Sequence, residues 1–433
     1  MKRHINSITL LKIRCFRNNR RNLRHIALFV HFTCIIIFCV GMGIYNAQAD
    51  NNAGAAFSIW PDTGQTKCYD DNGEITCPSE GQAFYGQDAQ YQGPQRSYTK
   101  LGQGGVELPN SATPADGWIM TRDNVTGLIW EIKTDDGGIH DKDNKYTWCD
   151  SNIFTNGGYA GSCGNGTDTE DFIATLNTAK FGGYSDWRLP TVKELSTLLN
   201  SGAPNSHPDP QYFPKTGTGD YWSSTTYIDK ITYAWRVAFD GWGTISTHYK
   251  SSTYYVRAVR DSQFQSPAIL YIDNSDGTIT DNTTGLMWQK CNIGQTYSIT
   301  NGCEGGGQSY EWKDALNKCE NLELAGYRDW RLPNRNELQS IVDYTTSDPS
   351  IVNFFSPTYD RYWTSTTWLA DETYAFYIPF HSAAFHSGAV IPWGKSYSYA
   401  IRCVRGSQPQ SKPDSSTNIL KLMVPILGAI GSK

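Results

Sequence analysis

The stretch GYSDWRLPT (Gly183–Thr191) returns as GYRDWRLPN (Gly326–Asn334). Four further blocks repeat around it in the same order. DNVTGLIW (Asp123–Trp130) returns as DNTTGLMW (Asp281–Trp288), and YTWCD (Tyr146–Asp150) as YEWKD (Tyr310–Asp314). YWSSTT (Tyr221–Thr226) returns as YWTSTT (Tyr362–Thr367), and RAVR (Arg257–Arg260) as RCVR (Arg402–Arg405). Each copy is about 140 residues long, a normal domain size and far too long for a solenoid repeat. The order predicts two tandem domains, at 113–262 and 270–406. An N-terminal segment (50–112) precedes them and a tail (407–433) follows.

Within a copy the local signals are mixed. Trp312, Ala315, Leu316, Cys319 and Leu322 fall on one helical face, as do Phe172, Ile173, Leu176 and Ala179. The residue before the proline of RLP is biased to extended backbone. Thr191 with Glu194, and Asn334 with Glu337, have capping-box spacing and predict second helices over Leu195–Leu199 and Leu338–Val342. YWSSTT, Tyr233–Phe239 and Tyr254–Val259 read as strands. The sum is an α+β expectation: two helices and a small antiparallel sheet per copy.

Positions 1–49 hold eight Lys/Arg and no Asp/Glu. With the apolar run Ile26–Tyr45 and Ala47-Gln48-Ala49 they read as an export signal, leaving a chain that starts at Asp50. The same run is long enough for an uncleaved anchor, the only membrane attachment the sequence suggests. The remaining 29 basic and 42 acidic residues make a poor partner for nucleic acid. Periplasm, cell surface and medium all fit. Ile419–Ile430 is apolar but too short to span a bilayer.

Beyond the signal lie eight cysteines: Cys68, Cys77, Cys149, Cys163, Cys291, Cys303, Cys319 and Cys403. An even number in an exported chain predicts disulfides. No metal or cofactor is expected, because no C-x-x-C and no His at ligand spacing occurs. Asn72-Gly73 predicts a two-residue hairpin with Tyr69 opposite Thr76 and Cys68 opposite Cys77. Cys149 and Cys163 bracket an insertion unique to copy one, and Cys291 and Cys303 staple a different loop of copy two. Aligned on the repeats, Leu176 stands at Cys319 and Ala258 at Cys403. One copy has both cysteines and the other neither, as expected of a bonded pair.

TGLMW, DWRLPN-x-x-EL, YWTST and YAIRCVRG resemble the Lcl C-terminal domain family, the domain that ends a collagen-like surface adhesin. More distantly, RLPT-x-x-EL with a closing RCVR strand is similar to formylglycine-generating, sulfatase-modifying enzymes and their C-type lectin-like fold. The resemblance implies two tandem C-type lectin-like domains and an adhesin-like role on acidic glycans. The acidic chain has no Lys/Arg run to match such glycans.

Recurring Trp130/Trp288, Trp187/Trp330 and Trp222/Trp363 are expected in the cores. Asp186/Arg188 and Asp329/Arg331 are expected as structural ion pairs at the turn into the second helix. Loops that differ between the copies carry the candidate ligand-binding residues: Trp242, His248 and Tyr249 in copy one, Phe385, His386 and Trp393 in copy two. No catalytic residue is expected. The reading is an exported, non-enzymatic envelope binding or adhesion protein for glycan or another envelope polymer. The alternatives are an envelope enzyme or enzyme-accessory protein, or a structural envelope component.

Overall fold

In the computed structural model the described residues are 60–406, except Asn165, Ser206, 261–270, 347–349, 356–360 and 382–385. The expected signal, the start at Asp50 and the apolar tail lie outside them. A hairpin of β1 (Cys68–Tyr69) and β2 (Glu74–Ile75) comes first, followed by β3 (Tyr98–Leu101) and β4 (Glu107–Leu108). Copy one continues with β5 (Met120–Asp123), β6 (Ile129–Glu131), β7 (Tyr146–Thr147), α1 (Thr169–Thr178) and α2 (Val192–Ser196). It ends with β8 (Gly219–Thr226), β9 (Tyr233–Phe239), β10 (Ile245–Tyr249), β11 (Thr253–Tyr254) and β12 (Val259–Arg260). Copy two opens with β13 (Tyr271–Asp273), β14 (Thr278–Asp281), β15 (Met287–Gln289), β16 (Thr296–Ser298), β17 (Gly302–Glu304) and β18 (Ser309–Tyr310). Then come α3 (Trp312–Glu320), α4 (Arg335–Ser340), β19 (Arg361–Thr367), β20 (Tyr374–Pro379), β21 (Ile391–Gly394), β22 (Tyr399–Ala400) and β23 (Val404–Arg405).

The chain is mostly β, which overturns the expected α+β, lectin-like pair of domains. The helical periodicity is real, but α1 and α3 are only 10 and 9 residues long. The second helices have 5 and 6 residues. Leu198, Leu199, Ile341 and Val342 are buried as expected, yet from irregular turns beyond the helix ends. The remaining elements are short strands in several small sheets. Two of these, β12-β6-β5-β3-β4 and β13-β14-β15-β23, hold the first and last blocks of each copy together.

The repeated blocks have a local physical reason. The strand beginning YW breaks register between Trp222 and Thr226, and again between Trp363 and Thr367. At the break Ser224 N donates to the Pro190 carbonyl at 2.8 Å, and Ser365 N to Pro333 at 2.8 Å. The next threonine then accepts the first helical N–H: Val192 N to Thr225 Oγ1 and Arg335 N to Thr366 Oγ1, both 3.0 Å. Both capping boxes are present. The Asp/Arg pairs divide their partners differently from the expectation. Arg188 and Arg331 clamp Glu194 and Glu337 through both guanidinium nitrogens, while Asp186 and Asp329 clamp Arg260 and Arg405 of the closing strands. Helix start and last strand are thereby tied to one turn.

All four disulfides are present, and Cys319–Cys403 spans 5.5 Å between Cα atoms. The hairpin register is a correction: Tyr69 pairs with Glu74, not Thr76. Asp70 turns the chain early, its carboxylate accepting from Asn72 N and Gly73 N at 2.7 and 3.1 Å. Such an Asx turn competes with the Asn-Gly turn.

The six recurring tryptophans are buried in the cores. Trp148, Trp187, Trp222, Leu176 and Ala258 share one cluster. Trp312, Trp330, Trp363, Cys319 and Cys403 form its counterpart. A third cluster takes Leu195, Leu198, Trp235 and Ile245 from copy one and Leu338, Ile341, Phe376 and Val390 from copy two. The two copies thus share a core within one compact unit.

The N-terminal segment covers copy two much as the stapled insertion covers copy one. Lys250 Nζ lies 3.8 Å from the Trp148 ring centroid and donates to the Asn156 and Tyr159 carbonyls of the insertion. Its counterpart Lys395 lies 4.2 Å from Trp312 and donates to the Asp70 carbonyl of the hairpin at 3.0 Å. Burial pushes Lys250 down to about 8 and Lys395 to about 7. Gln65 continues the cover, its side-chain amide bonding both the N–H and carbonyl of Thr367.

Asp88 of this segment is fully buried, with one oxygen accepting from Thr63 at 2.8 Å and from Thr366 at 2.6 Å. Burial and the nearby Asp62 push its carboxyl up to about 7, against the threonine donors. Arg335, Arg331 and Glu337 also face it. A carboxyl raised on folding contributes stability that is complete below its ordinary pKa and is lost as pH rises through about 7. Asp88→Asn keeps an acceptor for both hydroxyls and removes the ionisation. Urea melts of wild type and variant at pH 4.5 and pH 8 should therefore diverge. The variant gains on the order of 2–4 kcal/mol relative to wild type across that range. An equal pH dependence in both proteins would contradict the assignment.

Candidate functional site

The loops singled out for their divergence meet at the seam between the copies. Ile245 and Val390, counterparts in the two copies, pair antiparallel with both N–H···O bonds at 3.1 Å. Ser196 Oγ donates to Gln339 Oε1 at 3.1 Å, again between counterparts. Equivalent positions touching each other define a local two-fold relation, the signature of an isologous contact. At each end a loop from one copy lies against an aromatic residue of the other. The position that follows the repeated YW strand holds Tyr227 in copy one and Trp368 in copy two.

At the first end Trp242 stacks on Trp368, with centroids 4.8 Å apart and an interplanar angle of 30°. Trp368 is buried and donates Nε1–H to the Gly241 carbonyl at 3.3 Å. The Trp242 indole is 55% exposed, so one face is open to solvent. Asp240 accepts the Trp242 N–H at 3.1 Å. Burial lowers the nearby His207, and the Asp240 carboxylate partly offsets it. An open indole face beside a carboxylate and an imidazole can take the C–H face of a ring while bonding its hydroxyls.

At the second end His386 packs on Tyr227 at 4.8 Å, and its Nδ1 is 2.7 Å from Thr247 Oγ1. Burial, then Lys230, lowers its pKa. The exposed Tyr249 lies over Tyr233 at 4.2 Å, and Lys230 Nζ is 5.3 Å from the Tyr233 centroid. The other candidates go elsewhere. His248 points to the opposite face of β10, edge-on to Tyr254 at 5.4 Å and 2.9 Å from Ser252 Oγ. Trp393 packs edge-on against Tyr377 and Tyr397 inside copy two. Phe385 lies outside the described residues. Trp368, His207, Tyr233 and Lys230 were not picked out from sequence. The residue that differs just after a nearly identical strand block was the signal for Trp368.

One cluster has ligand-type atoms close together among the described residues: Cys149, Cys163 and Glu170. Both sulfurs are tied up in their disulfide.

The Lcl C-terminal domain model matches residues 119–260 and 277–405, well over half the chain and coincident with the two repeats. The chain belongs to the Lcl C-terminal domain family. No curated protein matches it. As a tandem Lcl C-terminal protein with four disulfides, it is suited to an oxidising, non-cytoplasmic compartment. Among the described residues, no helix is long and apolar enough to cross a membrane.

Proposed function

We propose that this chain is an exported, non-enzymatic envelope binding or adhesion protein that recognises glycan through the aromatic ends of its inter-copy seam. The observation that carries this reading is the open face of Trp242, held on buried Trp368 beside Asp240 and His207. A stacked indole loses little entropy on binding because its partner already fixes it. Compartment and signal processing follow the same reading: cleavage before Asp50 and release to the periplasm, the surface or the medium.

The test is binding of the purified chain to a broad glycan array, followed by titration of the best sugar. Trp242→Ala should weaken binding of that sugar by about 1–3 kcal/mol, roughly 5- to 150-fold, while the chain stays folded with a loss of about 0.5–1.5 kcal/mol of stability from the missing stack on Trp368. Tyr249→Ala reports on the other end. A wild-type chain that binds no glycan, or a Trp242→Ala chain that binds as tightly as wild type, would sink the proposal.

A further inference from the structure

Copy one has a cleft at the place where copy two sets a lysine over the matching tyrosine. The cleft has a volume of about 170 Å³ and lies beside α1; its lining includes Asn144, Lys145, Tyr146, Asp171, Phe172 and Thr175. Tyr146 corresponds to Tyr310 through the YTWCD block, and along the helix beyond the insertion, aligned through the DWRLP block, Asp171 corresponds to Asp314 and Thr175 to Lys318. In copy two the Lys318 ammonium lies 5.4 Å from the Tyr310 ring centroid, one helical turn after Asp314. In copy one the helix carries Asp171 and then Thr175 one turn later, so the same tyrosine and carboxylate have no ammonium from the helix. Thr175 instead bonds back to the Asp171 carbonyl at 2.8 Å.

We propose that this cleft binds a primary ammonium group on a flexible stem, such as a diamine or a lysine side chain, in the place Lys318 takes in copy two. The charge around it agrees. Asp168 caps α1, accepting from Asp171 N at 2.9 Å and from Gly164 N at 2.8 Å, and so stands beside Asp171. The second carboxylate raises the pKa of the first, and Asp171 Oδ2 has no partner of its own. A cation placed there relieves the repulsion and meets the Tyr146 ring. Lys145 of the lining holds its ammonium 4.7 Å from the centroid of Tyr255, a ring outside the lining. Lys133, 4.8 Å from the Phe172 centroid, is neutralised by Glu131. The site belongs to copy one alone and does not depend on the glycan reading of the seam.

The probe is cadaverine, titrated by calorimetry into the full mature chain at low salt, with N,N′-diacetylcadaverine as the uncharged control. Wild type should bind cadaverine saturably and the control not at all. Thr175→Lys, which installs the residue of copy two, and Asp171→Asn should each weaken binding about tenfold or more. Thr300→Lys adds the same charge at an exposed turn of copy two and should change affinity less than about twofold. Circular dichroism checks that each variant is folded, and Asp171→Asn carries the test if Thr175→Lys is not. Absence of saturable binding by wild type overturns the proposal. Equal losses from Thr175→Lys and Thr300→Lys also overturn it, since they would mean attraction by net charge alone.

Discussion

Replacing Cys319 and Cys403 together by alanine should lower the stability of the oxidised chain by about 3–5 kcal/mol in urea denaturation. The bond joins α3 to the loop entering β23 across a sequence separation of 84 and lies wholly inside the second core. Its main effect in the chain-entropy account is on the unfolded state, where so large a loop is costly to leave closed. Copy one supplies the matched control. Leu176 and Ala258 occupy the same two positions, are equally buried and share one cluster. Cys319→Leu with Cys403→Ala should therefore restore packing without restoring the cross-link. It should recover about 1–2 kcal/mol of the loss, the worth of refilling a buried side chain. If both double variants melt within about 1 kcal/mol of wild type, the bridge is not a stability element. If the leucine variant is the worse of the two, the positions are not equivalent and the alignment of the copies is wrong at that helix.

That pairing was legible because two copies of one sequence act as controls for each other. The same holds for the tryptophan cores, the capping boxes and the insertion staple, all of which rest on residues close in sequence or matched between copies. The shared core was not legible. Periodicity marks Leu195, Leu338 and Ile341 as inward-facing but cannot name what they face, and they face one another across the seam. For the same reason Trp242 and His386, chosen as free loop residues, turned out to lie against the opposite copy. The cover of copy two by the N-terminal segment also escaped. Gln65 and Thr367 carry no local signal for each other, and Lys250 and Lys395 match only once their shelters are seen. Strands of two to four residues leave too little alternation to read, which is why the short helices dominated the expected fold class.

The copies also differ in how they fill the space behind β6 and β15, and this sets the second large effect. Glu131 is fully buried, and one carboxylate oxygen accepts from Lys133 at 2.9 Å and lies 2.7 Å from His140 Nδ1. The other oxygen accepts from Ala258 N at 2.9 Å. In copy two Gln289 takes the position of Glu131, its amide oxygen accepting from Cys403 N at 3.2 Å, and a bonded Cys291 replaces Lys133. The backbone bond needs only an oxygen, so the charge in copy one is there to match Lys133. Burial works to raise the Glu131 carboxyl, but Lys133, His140 and Ala258 outweigh it and hold it at about 2. A carboxyl depressed on folding contributes stability that is complete above its ordinary pKa and is lost as pH falls through about 2. Glu131→Gln keeps the bond to Ala258 but strands a buried ammonium, and should cost about 3–5 kcal/mol at pH 7. Glu131→Gln with Lys133→Met removes both charges in the manner of copy two and should regain most of that loss. Urea melts of the two variants at pH 7 make the comparison. A single variant as stable as wild type, or a double variant no better than the single, would mean that Lys133 reaches solvent and the pair is not the buried unit that this geometry describes.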